Sequence, residues 1–309
     1  MEQKNFATEN YFVAFIDILG YREKIKKLSD DEQEQLVRSL NEFFEVAKDI
    51  IMTLNLPGSL HNPSGEDRRF DINMKTFSDN IFIYTKASWM SLLIAVAHMQ
   101  ANSVLLDVSM RGALSYGKLL ANDNLIYGNG LIEAYDLERK VAIFPRIIVS
   151  DSFVNGMKCN IIVTDVTEQY KHINPIAKNI PHITNYQTFR HSEFFQIFFA
   201  NDGFDENIFI NYLAYWKWHI EYEGKSESKP SFEELLQIHK EKIEKNLSEI
   251  TMANVAQKYS WCKFYHNRIC DEYRLGEIKI PTRNRDNEYP NSEPNIVKVD
   301  KITTNATDT

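Results

Sequence analysis

The residues with the clearest chemical potential are two aspartates, Asp17 and Asp79. Asp17 stands inside the run FVAFIDILGY, residues 12–21, among mostly apolar neighbours. An ionised carboxylate in a buried strand is costly unless something of opposite charge meets it. Asp79 occupies a turn, FSDN at residues 77–80, between two strand-like runs. If the fold brings the two carboxylates together they repel, and one takes up a proton unless a cation lies between them. A divalent metal removes that conflict, and magnesium is commonly held by one or two carboxylates plus substrate phosphates. Ile18-Leu19-Gly20-Tyr21 supplies the phosphate half. Strand turns into helix there, free N–H groups at a helix start favour an anion, and glycine permits close approach. Metal plus phosphate cradle is nucleotide chemistry, with two metals bridging the reacting oxygens. Taken singly, an aspartate at a strand end is more often a turn former or helix cap. It is the pair, on one topology, that points to a metal.

That topology is legible in outline. Tyr11–Ile18 is apolar, aromatic and β-branched, a buried strand broken by Gly20. Apolar residues from Asp31 to Leu54 recur at helical steps, with Ser29 or Asp30 as N-cap. LPGSLHNPSGEDRR, residues 56–69, reads as an exposed loop. FDINMKTF and NIFIYTK flank Ser78-Asp79 as a hairpin. A helix over Ala87–Leu106 and a strand over Val108–Leu120 follow. Asn122–Asn124 marks a turn, and a short strand LIYG leads to a helix around Gly130–Arg139 and a last strand over Pro145–Ser150. The order is βαββαβ, which predicts an α+β, ferredoxin-like domain with helices on one face of an antiparallel sheet. In such a sheet the first and third strands are adjacent and central, so Asp79 arrives beside Asp17. The predicted division is a domain over 1–150, a mainly helical extension packed on it over 151–280, and a flexible polar tail over 281–309. The aromatic stretch 193–220 is read as a face packed on the first domain, and SFEE at 231–234 as a capping box.

Composition sets bounds on function. The chain has 309 residues, 43% hydrophobic and 25% charged, enough to bury a sizeable core. A formal charge of -8 repels phosphate backbones and anionic surfaces, so neither nucleic acid nor membrane is an expected partner. Three scattered cysteines without a CxxC pair suit reduced thiols better than disulfides or zinc. No run approaches the ~20 apolar residues of a membrane span, and the start of the chain does not resemble a signal peptide. The expected location is the cytoplasm. His172, His182 and His191 lack metal-ligand spacing, and His266 is expected to be a packed core residue.

The order of motifs resembles the class III nucleotidyl cyclases. Phe15, Asp17, Ile18 and Gly20 match the first-strand pattern F-x-D-φ-x-G. Lys75-Thr76-Phe77-Ser78-Asp79 is similar to the hairpin K-x-x-G-D of adenylyl members. Arg111–Gly117, RGALSYG, is close to R-x-G-φ-x-x-G with one residue fewer between Arg and Gly, and Tyr127–Ala134 follows the frame of W-G-x-x-V-x-x-A. The resemblance covers roughly residues 10–150. It is nearest to the PycC-type pyrimidine nucleotide cyclases of bacterial anti-phage (Pycsar) signalling, through the FSDN hairpin, IYGNGLIEAYDLE, FINYLAYW and KYSWCKFYHN.

The resemblance implies a homodimer with composite active sites, using Mg2+ or Mn2+, two ions per site. Asp17 and Asp79 would bridge the metals, with the Ile18 carbonyl as a further ligand. Phe15, Gly20, Tyr21, Lys75 and Arg111 would contact the nucleotide. The implied reaction makes 3′,5′-cyclic UMP or cyclic CMP from UTP or CTP, for a separate cyclic-nucleotide effector; uridylate is the favoured product. Ordinary adenylyl and guanylyl cyclases carry an Asn and an Arg on the helix after the W-G motif. Ile132 and Asp136 stand there in frame, so Arg139 is the expected substitute, with Arg111, Lys75 and Arg146 as other candidates. Two other readings remain: a soluble adenylyl or guanylyl cyclase, and a catalytically inactive cyclase-fold binding module. A diguanylate cyclase or polymerase palm is disfavoured, because SDNIF has only one acid.

Overall fold

The computed structural model describes residues 8–20, 26, 28–55, 72–86, 89–106, 108–122, 125–159, 186–191, 193–203, 205–223, 229–249 and 252–281. The expected loop at 56–69, the tail beyond 281, Tyr21, His172 and His182 lie outside these residues. The chain opens with β1 (Glu9–Ile18), α1 (Asp30–Asn55), β2 (Asn73–Phe77), β3 (Asn80–Thr85), α2 (Trp89–Leu105), β4 (Met110–Ala121), β5 (Ile126–Tyr127), α3 (Asn129–Lys140) and β6 (Ile147–Val149). It continues through α4 (Asp151–Cys159), α5 (Tyr186–Arg190), α6 (Glu193–Phe198), β7 (Phe199–Asn201), β8 (Ile208–Ile210), α7 (Tyr212–Glu223), α8 (Phe232–Glu249) and α9 (Ala253–Glu272).

The fold is α+β around a mixed sheet of order β2-β3-β1-β4-β6-β8-β7, with β5 paired to β4. The first and third strands are neighbours, as the βαββαβ order requires: β1 runs antiparallel to β3 on one side and to β4 on the other. Two features differ from the expectation of helices on one face of an antiparallel sheet. β6 runs parallel to β4. The faces are also both covered. Phe12, Ala14 and Ile16 of β1 point into the large core with α1 and α2, while Tyr11 and Val13 meet Ala134 and Leu131 of α3 on the opposite side. The reason lies in β1 itself, whose residues Tyr11 to Ala14 are all buried. A strand apolar on both faces needs cover on both.

α3 lies close on the sheet because two glycines meet. A Cβ added at Gly117 would sit 3.0 Å from the Gly130 nitrogen, and Ser115 Oγ donates to the Gly130 carbonyl at 2.6 Å. The helices start as their sequences require. Ser231 at the head of α8 forms a full capping box with Glu234, each accepting from the other's N–H, at 3.2 and 2.7 Å. At the head of α1 Glu32 accepts from both the N–H and the hydroxyl of Ser29, at 2.8 and 2.7 Å.

Residue 150 divides the chain in order, not in core. β7 and β8 extend the same sheet beyond β6, and Phe209, Trp216 and Trp261 belong to the same hydrophobic cluster as Phe12 and Leu93. The aromatic stretch 193–220 is therefore largely interior. The join is held by Arg146, fully buried and ion-paired with Asp202 and Asp205, while the Trp261 indole N–H donates to Asp202 at 2.7 Å. Cys159, Cys262 and Cys270 are free thiols.

A buried polar chain runs through the helical part. The Ile278 carbonyl can only accept, so His266 Nε2 carries the proton that bonds it at 3.2 Å. His266 Nδ1 must then accept from His239 Nδ1 at 3.3 Å, which leaves His239 Nε2 to accept from the Tyr212 hydroxyl at 3.3 Å. Both rings are neutral in this arrangement. Burial lowers the His266 pKa from 6.5 to about 4, that of His219 to about 3, and that of His239 well below its usual value. On acidification the unfolded chain therefore binds protons that the folded chain refuses. Stability present above pH 6.5 is lost as pH falls toward 4, by at most about 1.4 kcal/mol per pH unit for each histidine. Urea unfolding is expected to show a lower midpoint at pH 5 than at pH 7, and a smaller drop in His266→Gln.

Candidate active site

The β1–β3 ladder brings the two aspartates to one end of the sheet. Asp17 lies opposite Asn80, and the Ile18 N–H donates to the Asp79 carbonyl at 2.9 Å. The turn between β2 and β3 is tight, with Ser78 in the left-handed region at φ 56°. Asp79 is buried, and its Oδ1 accepts from the Asn80 side chain at 3.2 Å. The convergence expected from strand order is thus present in the backbone.

On its other side, Asp17 lies opposite Arg111 of β4. The Arg111 Nε–H donates to Asp17 Oδ2 at 3.2 Å. The same nitrogen stands 2.7 Å from Glu138 Oε1 of α3, an ion-pair distance, yet that oxygen accepts no hydrogen bond. The single N–H points at Asp17, so Glu138 is held by charge alone. Its side chain is only 6% exposed. Burial raises the Glu138 pKa; Arg111 opposes this, and the carboxylates of Asp17 and Asp79 add to it. The site is therefore two carboxylates on one guanidinium, with the charge of Asp79 acting on Glu138 as well.

The other sequence-predicted residues distribute as follows. Ile18 is buried beside Asp79, and Phe15 packs edge-on against Tyr135 of α3 at 5.4 Å. Gly20 is exposed at φ 77°, and among the described residues a Cβ there would meet nothing within 4 Å. Its backbone conformation calls for glycine. Lys75 on β2 donates to the Asn122 carbonyl at 2.9 Å. Arg139 is exposed on α3 and reaches the cluster only as a field on Glu138; Lys140, not Arg139, closes the ion pair with Asp136 at 3.0 Å. Arg146 is committed to Asp202 and Asp205 and cannot serve at the site. His266 is fully buried within the polar chain described above.

Glu138 was not among the residues that the sequence points to, although a signal exists. Gly130, Ala134 and Glu138, spaced by four, are the buried residues of α3, so Glu138 extends its inward face. A second unforeseen residue is Lys258 of α9, whose charge interacts with Arg111, Asp17 and Glu138.

The donors fit a hard divalent cation. Two carboxylates and the Ile18 carbonyl are all oxygens, the ligands that Mg2+ and Mn2+ prefer. Among the described residues no group of three or more His, Cys, Asp or Glu gathers to hold a metal. Ions at Asp17 and Asp79 would thus complete their shells with substrate oxygens and water. Asp17 would also share its charge with Arg111.

No family model matches the chain, and no curated protein matches it. Among the described residues no helix is long and apolar enough to cross a membrane.

The cluster makes a separable prediction. Arg111→Ala leaves Glu138 buried beside two carboxylates without its counter-charge, and is expected to cost about 1–3 kcal/mol at pH 7. Adding Glu138→Gln to that variant should recover much of the loss, which a double-mutant cycle by urea unfolding measures.

Proposed function

We propose that the chain is a nucleotidyl cyclase of class III type, forming 3′,5′-cyclic UMP or cyclic CMP from the corresponding NTP. The observation that carries this reading is the antiparallel pairing of β1 with β3, which sets Asp17 beside the Asp79 turn through the Ile18–Asp79 hydrogen bond. The motif residues Phe15, Asp17, Gly20, Asp79 and Arg111 all belong to this one end of the sheet or its adjoining strands.

Mg2+ or Mn2+ held by Asp17, Asp79 and the Ile18 carbonyl would supply charge neutralisation and a more acidic 3′-hydroxyl. The reaction itself balances simply. The ribose 3′-oxygen bonds to the α-phosphorus, the bond from that phosphorus to the α–β bridging oxygen breaks, and pyrophosphate leaves with the electron pair. The 3′-hydroxyl proton passes to water. The exposed backbone at Gly20 would approach the phosphates, and Arg111 would contact the α-phosphate after exchanging part of its bond with Asp17. Phe15 and Lys75 would face the nucleoside, and Arg139, exposed on α3, would act on the site of a second copy. The exposure of Leu125, Tyr127, Ile132 and Tyr135, large apolar residues on or beside β5 and α3, supports coverage by that copy. In this reading the product serves as a second messenger in anti-phage defence, made in the cytoplasm and read by a separate effector.

The inactive binding module is favoured by one feature, the ion pair that already satisfies Asp17 through Arg111. An adenylyl or guanylyl enzyme is disfavoured by Ile132 and Asp136, which cannot hold a transition state as Asn and Arg do. Purified protein incubated with each of the four NTPs and Mn2+ decides among these. A cyclic pyrimidine monophosphate is expected from the wild type, with activity reduced at least ~10³-fold in Asp17→Ala and Asp79→Ala. Cyclic AMP or cyclic GMP as the main product would move the assignment to the purine enzymes. No product from an intact dimer would leave the binding module.

A further inference from the structure

Helix α9 carries a second cation to the carboxylate cluster. Trp261, Cys262, Tyr265, Ile269 and Cys270 recur at three- and four-residue steps and form the buried face of α9. Lys258 lies one turn ahead of Trp261 and Cys262 on that face and is half-buried. Its neighbour Tyr259 and Cys262 line a cavity of about 40 Å³ together with Ser109 and Met110, the two residues that lead into Arg111. Trp261 fixes the same turn through its bond to Asp202 and its stacking on Phe144, rings 5.8 Å apart. The start of α9 thus shares a cavity with the residues that lead into β4, where Asp17 and Arg111 meet.

The electrostatics agree with this placement. Burial and then Arg111 lower the Lys258 pKa, while Asp17 and Glu138 oppose them. Arg111 is already engaged by two carboxylates. Lys258 differs: among the described residues its ammonium closes no ion pair and donates no hydrogen bond. A half-buried ammonium with all three donors unspent, beside carboxylates that metals would neutralise, suits a polyanion.

We propose that Lys258 is a phosphate-binding residue of the active site, contributed by the helical part of the same chain and directed at the β- and γ-phosphates of the NTP. This rests on the cyclase reading above and adds to it a ligand from outside the βαββαβ unit. As the α–β bridging oxygen departs with its electron pair, negative charge gathers on pyrophosphate, and the Lys258 ammonium meets it there. The region beyond residue 150 is then part of the catalytic apparatus and not only its support.

Two measurements on the full chain test this. In calorimetric titration with inorganic tripolyphosphate and Mg2+, Lys258→Met is expected to bind about ten- to hundredfold more weakly than wild type, and Lys258→Arg nearly as well. In steady-state assays of cyclic pyrimidine formation, kcat/KM is expected to follow the same order. Thermal melts confirm the fold, and Lys258→Gln replaces the methionine variant if that one melts early. Tripolyphosphate binding and turnover unchanged in a folded Lys258→Met or Lys258→Gln would overturn the assignment. Binding that depends on Lys258 in a wild-type protein that cyclises no nucleotide would uphold the anion site and remove the cyclase reading instead.

Discussion

Everything at the site depends on the register of β1 between two antiparallel partners. Asp17 faces Asn80 on one side and Arg111 on the other, and the next residue, Ile18, is tied by its N–H to the Asp79 carbonyl. Side chains alternate along a strand, so a slip of one residue would turn Asp17 to the opposite face and into the large apolar core. That core forbids the slip. Phe12, Ala14 and Ile16 fill it from one face of β1, and their burial sets the facing of every residue between them. The carboxylate is thus positioned by its apolar neighbours, which explains why it stands in so hydrophobic a run.

The helical half works on the same sheet from the far side. β8 joins β6, and Arg146 is enclosed by Asp202, Asp205 and the rings of Phe144, Phe209 and Trp261. A fully buried guanidinium is tolerable only with paired charges and good hydrogen bonds, so this knot holds the two halves in one geometry. It also fixes where α9 begins. Since α9 bears Lys258, the place from which that charge interacts with Asp17 depends on the anchoring of Trp261 to Asp202.

The cluster of Asp17, Glu138 and Arg111 balances more negative than positive charge in a partly buried place. Structural ion pairs normally come closer to neutrality, and an excess of carboxylate with an oxygen that accepts no hydrogen bond is a common mark of a functional site. Repulsion among the acids favours whatever cation can enter. On the proposed reading Lys258, whose ammonium makes no ion pair or hydrogen bond among the described residues, would add a seat for the accompanying anion.

Much of this was written in the sequence. Hydrophobic alternation, the helical repeat of α1, the Ser29 and Ser231 caps and the Ser78-Asp79 turn are local matters, decided by residues within a few positions of each other. Strand order then followed from chain connectivity, which brought Asp17 and Asp79 to one end of the sheet. The rest needed the tertiary structure, because it concerns residues that are distant in the chain and identical in type to many surface ones. Arg111, Arg139 and Arg146 look alike in sequence, yet one is bound to Asp17, one is exposed, and one is buried against Asp202. Glu138 and Lys258 read as ordinary charges on amphipathic helices, and only the docking of α3 and α9 turned them toward the carboxylates. Composition and spacing determine which elements form and which faces are apolar. The choice among equivalent charges is made by packing, because burial and distance, which set the worth of a charge, exist only once the elements have met.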